Sequence, residues 1–131
     1  MYQKDYLLKH IEGFFNAIKE ILLNIKNEDN IKAQKQITNS FLFFNNSESF
    51  FVETEVNEIV KFLNNEENGL EKTNLLAELF LTDAKINLYR RKKTLSKAIF
   101  LLEYYSNETK TISLDTMNKI SRAKKELAEN L

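Results

Sequence analysis

The chain has 131 residues, 19 of them basic and 19 acidic, with no cysteine, no proline and two glycines. That length is typical of one domain, so residues 1–131 are expected to form a single helical domain with a core large enough to need no staples. The missing cysteine excludes disulfides, thiolate metal sites and a cysteine nucleophile, and balanced charge gives no wholesale attraction to nucleic acid or an acidic membrane.

Proline breaks helices and glycine weakens them, so a chain nearly free of both can run as long helices and has little material for tight β-turns. The opening "MYQKDYLLKHIEGFF" meets charge at Lys4, Asp5, Lys9 and Glu12 before any apolar run is long enough for a signal peptide. No window approaches the ~20 mostly apolar residues of a membrane span. A cytoplasmic location with no membrane association is expected.

The spacing predicts about six helices. The first covers about 2 to 26. Leu7, Ile11, Phe14, Ile18, Leu22 and Ile25 recur every three or four residues on one face. Tyr6, Phe15 and Ile21 widen that face, which implies more than one neighbour. "NEDN" (27 to 30) ends it, and Asp29 or Asn30 is a good N-cap for a second helix with the stripe Ala33, Ile37, Phe41 and Phe44. After "NNSES" (45 to 49), a third helix carries Val52, Val56, Ile59, Val60 and Leu63 and ends in "NNEENG" (64 to 69).

The fourth, about 70 to 90, is apolar on two sides. Leu76, Phe80, Ala84 and Leu88 form one stripe, and Leu75, Leu79, Ile86 and Tyr89 form the other. Such a helix is normally central. The fifth, about 94 to 106, turns Leu95, Ala98, Ile99, Leu102 and Tyr105 inward. The sixth starts at Ser113, a natural N-cap with Asp115 favouring the helix dipole, and carries Met117, Ile120, Leu127 and Leu131. Short connections make consecutive helices antiparallel neighbours, so an all-α stack of three helical hairpins is expected.

"SFLFFNNSESFFVE" (40 to 53) places Phe41, Phe43, Phe44, Phe50 and Phe51 on both sides of a short polar gap. Two adjacent helix ends locked by buried rings is the plain reading. The functional reading makes the surplus rings, Phe43 and Phe50, an exposed patch for a partner or a second copy of the chain.

The segments "ILLNIKNEDNIKAQKQI" (21 to 37) and "INLYRRKKTLSKAIFLL" (86 to 102) echo each other. In both, an apolar helix end meets a polar turn and a Lys-Ala pair follows, Lys32-Ala33 and Lys97-Ala98. A small residue there lets two helices approach closely, the logic of tetratricopeptide-like pairs. The glycine, aromatic and proline marks of the standard repeat are missing. "YQKDYLLKHIEGF" (2 to 14) and "AELFLTDAKINLYRRKKTLSKAIFLLEYY" (77 to 105) resemble a group of small, uncharacterised, all-helical bacterial proteins. Their typical opening is matched by Gln3, Asp5-Tyr6, Lys9 and Ile11-Glu12. The resemblance implies a tetratricopeptide-like fold and no particular activity, so it assigns no catalytic residue. Lys9 stands where that group often has arginine, and the loop around 64 to 70 is short.

The single histidine, His10, has no second histidine with which to build the common zinc sets, and Glu12 at i+2 does not share its face. Two glycines far apart make no phosphate loop. Glu55 and Glu58 share a helical face, but acid–base work needs one of them buried, and a solvated face is expected. No catalytic residue, metal or cofactor is expected. Charge is segregated along the chain. Residues 45 to 71 hold seven glutamates and one lysine, whereas 84 to 102 hold Lys85, Arg90, Arg91, Lys92, Lys93 and Lys97 and no acid. "RRKK" is placed at a turn where it suits the C-terminal end of the fourth helix.

The leading expectation is a non-enzymatic protein-interaction module, a scaffold or adaptor, that takes a protein or peptide partner through Phe43, Phe50 and the basic turn Arg90, Arg91, Lys92 and Lys93. The alternative is a nucleic-acid-associated regulator using Arg90 to Lys93, which the balanced net charge disfavours. The opposite patches can also pair two copies head to tail.

Overall fold

A computed structural model describes residues 2–129, with side chains from residue 5 onward, and every regular element in them is helical. Seven α-helices occur among the described residues: α1 (Tyr2–Lys26), α2 (Asn30–Phe41), α3 (Glu48–Glu53), α4 (Val56–Asn64), α5 (Gly69–Asp83), α6 (Arg91–Thr109) and α7 (Leu114–Glu129). Two 3₁₀ turns, Leu42–Phe44 and Leu88–Arg90, lie between them. No helix among the described residues is long and apolar enough to cross a membrane.

The first two helices form where their periodicity and caps place them. Asp29 accepts a hydrogen bond from the Lys32 amide at 3.2 Å, and the turn is pinned by Asn24 donating to Gln36 at 2.7 Å. Phe14, Ile18 and Ile21 of α1 are buried, and so are Ala33, Ile37 and Phe41 of α2. α7 begins after Ser113, whose hydroxyl accepts from the Thr116 amide at 3.0 Å. Leu131, expected on its inner face, lies outside the described residues.

The expected third helix is two. Thr54 and Glu55 are extended, with ψ of 140° and 141°, and part α3 from α4. The expected fourth helix stops at Asp83 instead of running to residue 90, and α6 starts at Arg91 and reaches Thr109. Leu88 and Tyr89, assigned to inward stripes, therefore sit on a 3₁₀ turn and are 61% and 83% exposed. Arg90 closes the 3₁₀ turn and Arg91, Lys92 and Lys93 open α6, so "RRKK" lies at a turn between two helices and does not end the preceding one. Positive charge at a helix N-terminus opposes the dipole. Two of the four cations, Arg90 and Arg91, nevertheless reach back to the end of α5.

α5 is the central element, packed against α1, α2, α4 and α6. α1–α2 and α5–α6 are long hairpins stacked through α5, the short α3 and α4 close one end, and α7 lies along α6. Ala33 and Ala98 are fully buried, the small residues that allow close approach in each hairpin. Tight closure also explains Gly69. A Cβ there would lie 2.1 Å from the Leu63 carbonyl oxygen and 3.1 Å from the Asn64 Cα. Only glycine lets the start of α5 meet the end of α4 so closely.

Candidate functional site

Nine of the ten phenylalanines form one connected set of ring contacts, from Phe14 and Phe15 through Phe43, Phe44, Phe51, Phe41, Phe50 and Phe62 to Phe80. Phe41, Phe44 and Phe51 are fully buried, and Phe41 stacks on Phe51 with centroids 5.9 Å apart. The phenylalanine-rich stretch is thus mainly a lock between the end of α2 and the start of α3. Phe43 and Phe50 are half-buried and part of this lock. Phe50 sits against Phe51 and Phe62, whereas Phe43 packs against Phe14 and Phe44 and has one face left for something else.

That other face lines a groove of about 590 Å³ between the N-terminal half of α1, the 3₁₀ turn after α2 and the start of α5. The reason for an opening here is a mismatch of lengths. α1 has 25 residues and α2 has 12, so α1 runs on past the end of its partner with apolar residues still on its face. Leu7, Ile11, Phe43 and Leu75 make the apolar surfaces. Tyr6 and His10 stand at one side with ring centroids 4.2 Å apart, and Glu67, Asn68, Glu71 and Lys72 stand at the other. Asn45, in the left-handed conformation at φ 63°, donates to Glu66 at 3.0 Å. That bond ties the turn bearing Phe43 to the loop bearing Glu67.

The basic turn is divided in its roles. The Arg90 guanidinium lies against Asp83, which is fully buried. Its Nε donates to Oδ2 at 3.0 Å and its Nη2 to Oδ1 at 2.5 Å. Asn87 donates to the same carboxylate at 2.6 Å, and Glu48 lies 3.6 Å from Arg90. Burial works against the guanidinium charge, but Asp83 and Glu48 outweigh it and push its pKa above the ordinary value. Arg91 donates to the Ala84 carbonyl at 2.8 Å, capping the end of α5. Lys92 and Lys93 are exposed and line a separate shallow groove of about 640 Å³ with Ser96, Lys124, Leu127 and Ala128, and Lys93 pairs with Glu53 at 3.3 Å. The structure therefore brings neither Phe50 nor the basic turn to the Phe43 groove. Part of the acidic segment meets the basic segment within one chain, through Glu48–Arg90 and Glu53–Lys93.

Lys97 is the most unusual cation. It is 9% exposed, and its ammonium donates to the carbonyls of Phe51, Val52 and Thr54 at 2.9, 2.5 and 2.7 Å. These belong to the end of the six-residue α3, whose last carbonyls have no partner within so short a helix. Burial, with help from Lys93 and against Glu53, lowers its pKa to about 8. All three of its hydrogen bonds hold the fold, and none faces the groove.

His10 is exposed and lies 6.2 Å from Phe43 across the ring centroids. No group of three or more potential metal ligands occurs among the described residues. Glu55 and Glu58 are both exposed; Glu55 accepts from the Asn57 amide at the start of α4, and Glu58 pairs with Lys61 at 3.3 Å. The groove's assets are thus apolar surface, aromatic edges and a carboxylate rim, an arrangement for holding side chains.

The wide apolar face of α1 and its excess length over α2 are the sequence signals for this site. Glu67 and Glu71 were visible only as members of the acidic segment 45 to 71, and the fold around the α4–α5 turn is what brings them to the groove. Compared with known proteins, the chain matches no family model, no curated protein and no solved structure.

Proposed function

We propose that this chain is a non-enzymatic, tetratricopeptide-like protein-interaction module that docks a segment of a partner protein. The observation that carries the reading is the groove beside Phe43, with an apolar floor, charged residues on its rim and the Phe43 turn tied to the acidic loop by the Asn45–Glu66 bond. Grooves with an apolar floor and a polar rim accept helices or extended segments through a few anchor side chains. Phe43 and its neighbours are the docking residues on this reading. Phe50 belongs to the scaffold behind them.

Affinity capture from the native cell with the wild type and a Tyr6→Ala/Leu7→Ser variant in parallel tests this. A partner held by the first and lost by the second is the expected result. The same set of proteins held by both would sink the assignment of the groove.

The nucleic-acid reading draws on Lys92 and Lys93, which project with Lys124 around the second groove. It is the weaker of the two, because Arg90 and Arg91 are engaged at the end of α5. A salt-dependent mobility shift with DNA or RNA is its test, and no shift at low salt removes it.

A further inference from the structure

The geometry points to one kind of occupant for the Phe43 groove: an amphipathic segment with an apolar ridge flanked by lysine or arginine. This rests on the docking reading above and adds the chemistry of what is docked.

The segment 45 to 71 carries seven glutamates. Glu48 and Glu53 are matched by Arg90 and Lys93, and Glu58 by Lys61. Glu55 and Glu66 meet no cation among the described residues but accept from the side-chain amides of Asn57 and Asn45. Glu67 and Glu71 line the groove and form no ion pair with any described residue. Glu71 stands in the first turn of α5, where negative charge suits the helix dipole. Lys72 is the one cation lining the groove among the described residues, so the described lining holds two carboxylates against one ammonium.

Leu7, Ile11, Phe43 and Leu75 can take apolar anchors from one face of a helix. A cation on the flank of that helix then meets the two carboxylates. An acidic flank meets repulsion at the same place, which gives the site discrimination by sign. The volume of about 590 Å³ suits a few side chains, not a folded surface.

Two labelled amphipathic peptides of about 14 residues, long enough for helix to form on docking, test the assignment. They share one leucine stripe and differ only in carrying lysine or glutamate on the flank. Fluorescence anisotropy at low salt is expected to show the lysine peptide bound about tenfold more tightly, the combined effect of two exposed charge pairs. The preference is expected to shrink in salt and to vanish in Glu67→Gln/Glu71→Gln. Both substitutions lie at the rim, and circular dichroism checks that the variant stays folded.

Equal binding of both peptides, weakened in both by Tyr6→Ala, would overturn the cationic occupant and leave the docking reading standing. No binding of either peptide would overturn both. A protein mass that doubles with concentration, and stays single in Glu67→Gln/Glu71→Gln, would give the groove to a second copy of the chain and overturn the peptide assignment.

Discussion

The two glycines behave as opposites, and the contrast tests the packing directly. A Cβ on Gly69 would collide with the backbone of Leu63 and Asn64, whereas one on Gly13 meets nothing within 4 Å. Gly69→Ala is expected to lose about 2–3 kcal/mol, in the range of strained overpacking. Gly13→Ala, in the middle of α1, is expected to gain about 0.5–1 kcal/mol through helix propensity. Urea denaturation of both variants checks this, and equal effects would mean that α4 and α5 do not meet as described. Lys97 is the other single residue with a large expected effect. Lys97→Met leaves buried carbonyls of α3 without donors, a loss of about 1–3 kcal/mol. Its pH signature follows from linkage. The folded pKa is about 8 and the ordinary value 10.5. Below pH 8 both states hold the proton. Between about 8 and 10.5 the unfolded chain holds more, so stability rises with pH through that window and then levels off. The wild type minus Lys97→Met difference in unfolding free energy is expected to show that rise. A flat difference would show that the ammonium is not desolvated.

At the scale of elements, the buried pair at the end of α5 decides where that helix stops. Asp83 binds Asn87 and Arg90, and Arg91 caps Ala84, so the chain leaves the helix and turns into α6 without glycine or proline. Asp83→Asn leaves the Arg90 charge with Glu48 alone, at 3.6 Å, and is expected to lose about 3 kcal/mol, while Asp83→Leu/Arg90→Met is expected to recover most of it. Thermal melts of the three proteins read this out, and a loss below about 1 kcal/mol in the single variant would mean the pair is solvated. The same feature shows what was legible beforehand. Three-four spacing located the inward faces of α1, α2, α5 and α6 well, because burial of Phe14, Ile37, Leu76 and Leu102 follows from period alone. The breaks at Thr54–Glu55 and after Asp83 escaped notice. They are fixed by Lys97, more than 40 positions from the α3 carbonyls it holds, and by side chains bonding across a turn. Of the candidate site, Phe43 was legible as a surplus ring. The inward turn of Arg90 was not, since nothing local marks Asp83 as its buried partner.

For the whole molecule, the layered arrangement implies an uneven distribution of stability. α5 packs closely against α1, α2, α4 and α6 and buries residues along its entire length, from Gly69 to Asp83. α7 lies along α6 and buries only Ala123 fully among its described residues, with Ile120 and Leu127 half-covered. One polar anchor is Lys119, bonded to Glu78 of α5; Asp115, one turn back on α7 itself, lies 3.0 Å from the same ammonium. Although burial opposes the Lys119 charge, those two carboxylates raise its pKa, so the anchor persists through neutral pH. Regions with few buried contacts open at lower free energy than the core. Amides of α7 are therefore expected to exchange hydrogen by local opening, at a free energy well below that of α5 and insensitive to low urea. Those of α5 and the inner face of α6 should exchange only with global unfolding. Glu78→Gln, which weakens the anchor across to α5, is expected to speed exchange in α7 and leave α5 protection unchanged. If α7 exchanges as slowly as α5, or if Glu78→Gln accelerates both alike, the seventh helix is an integral part of one cooperative unit. Protection confined to α1–α6 would instead make α7 a helix added onto a stack already complete, with the Phe43 groove on the part that folds most firmly.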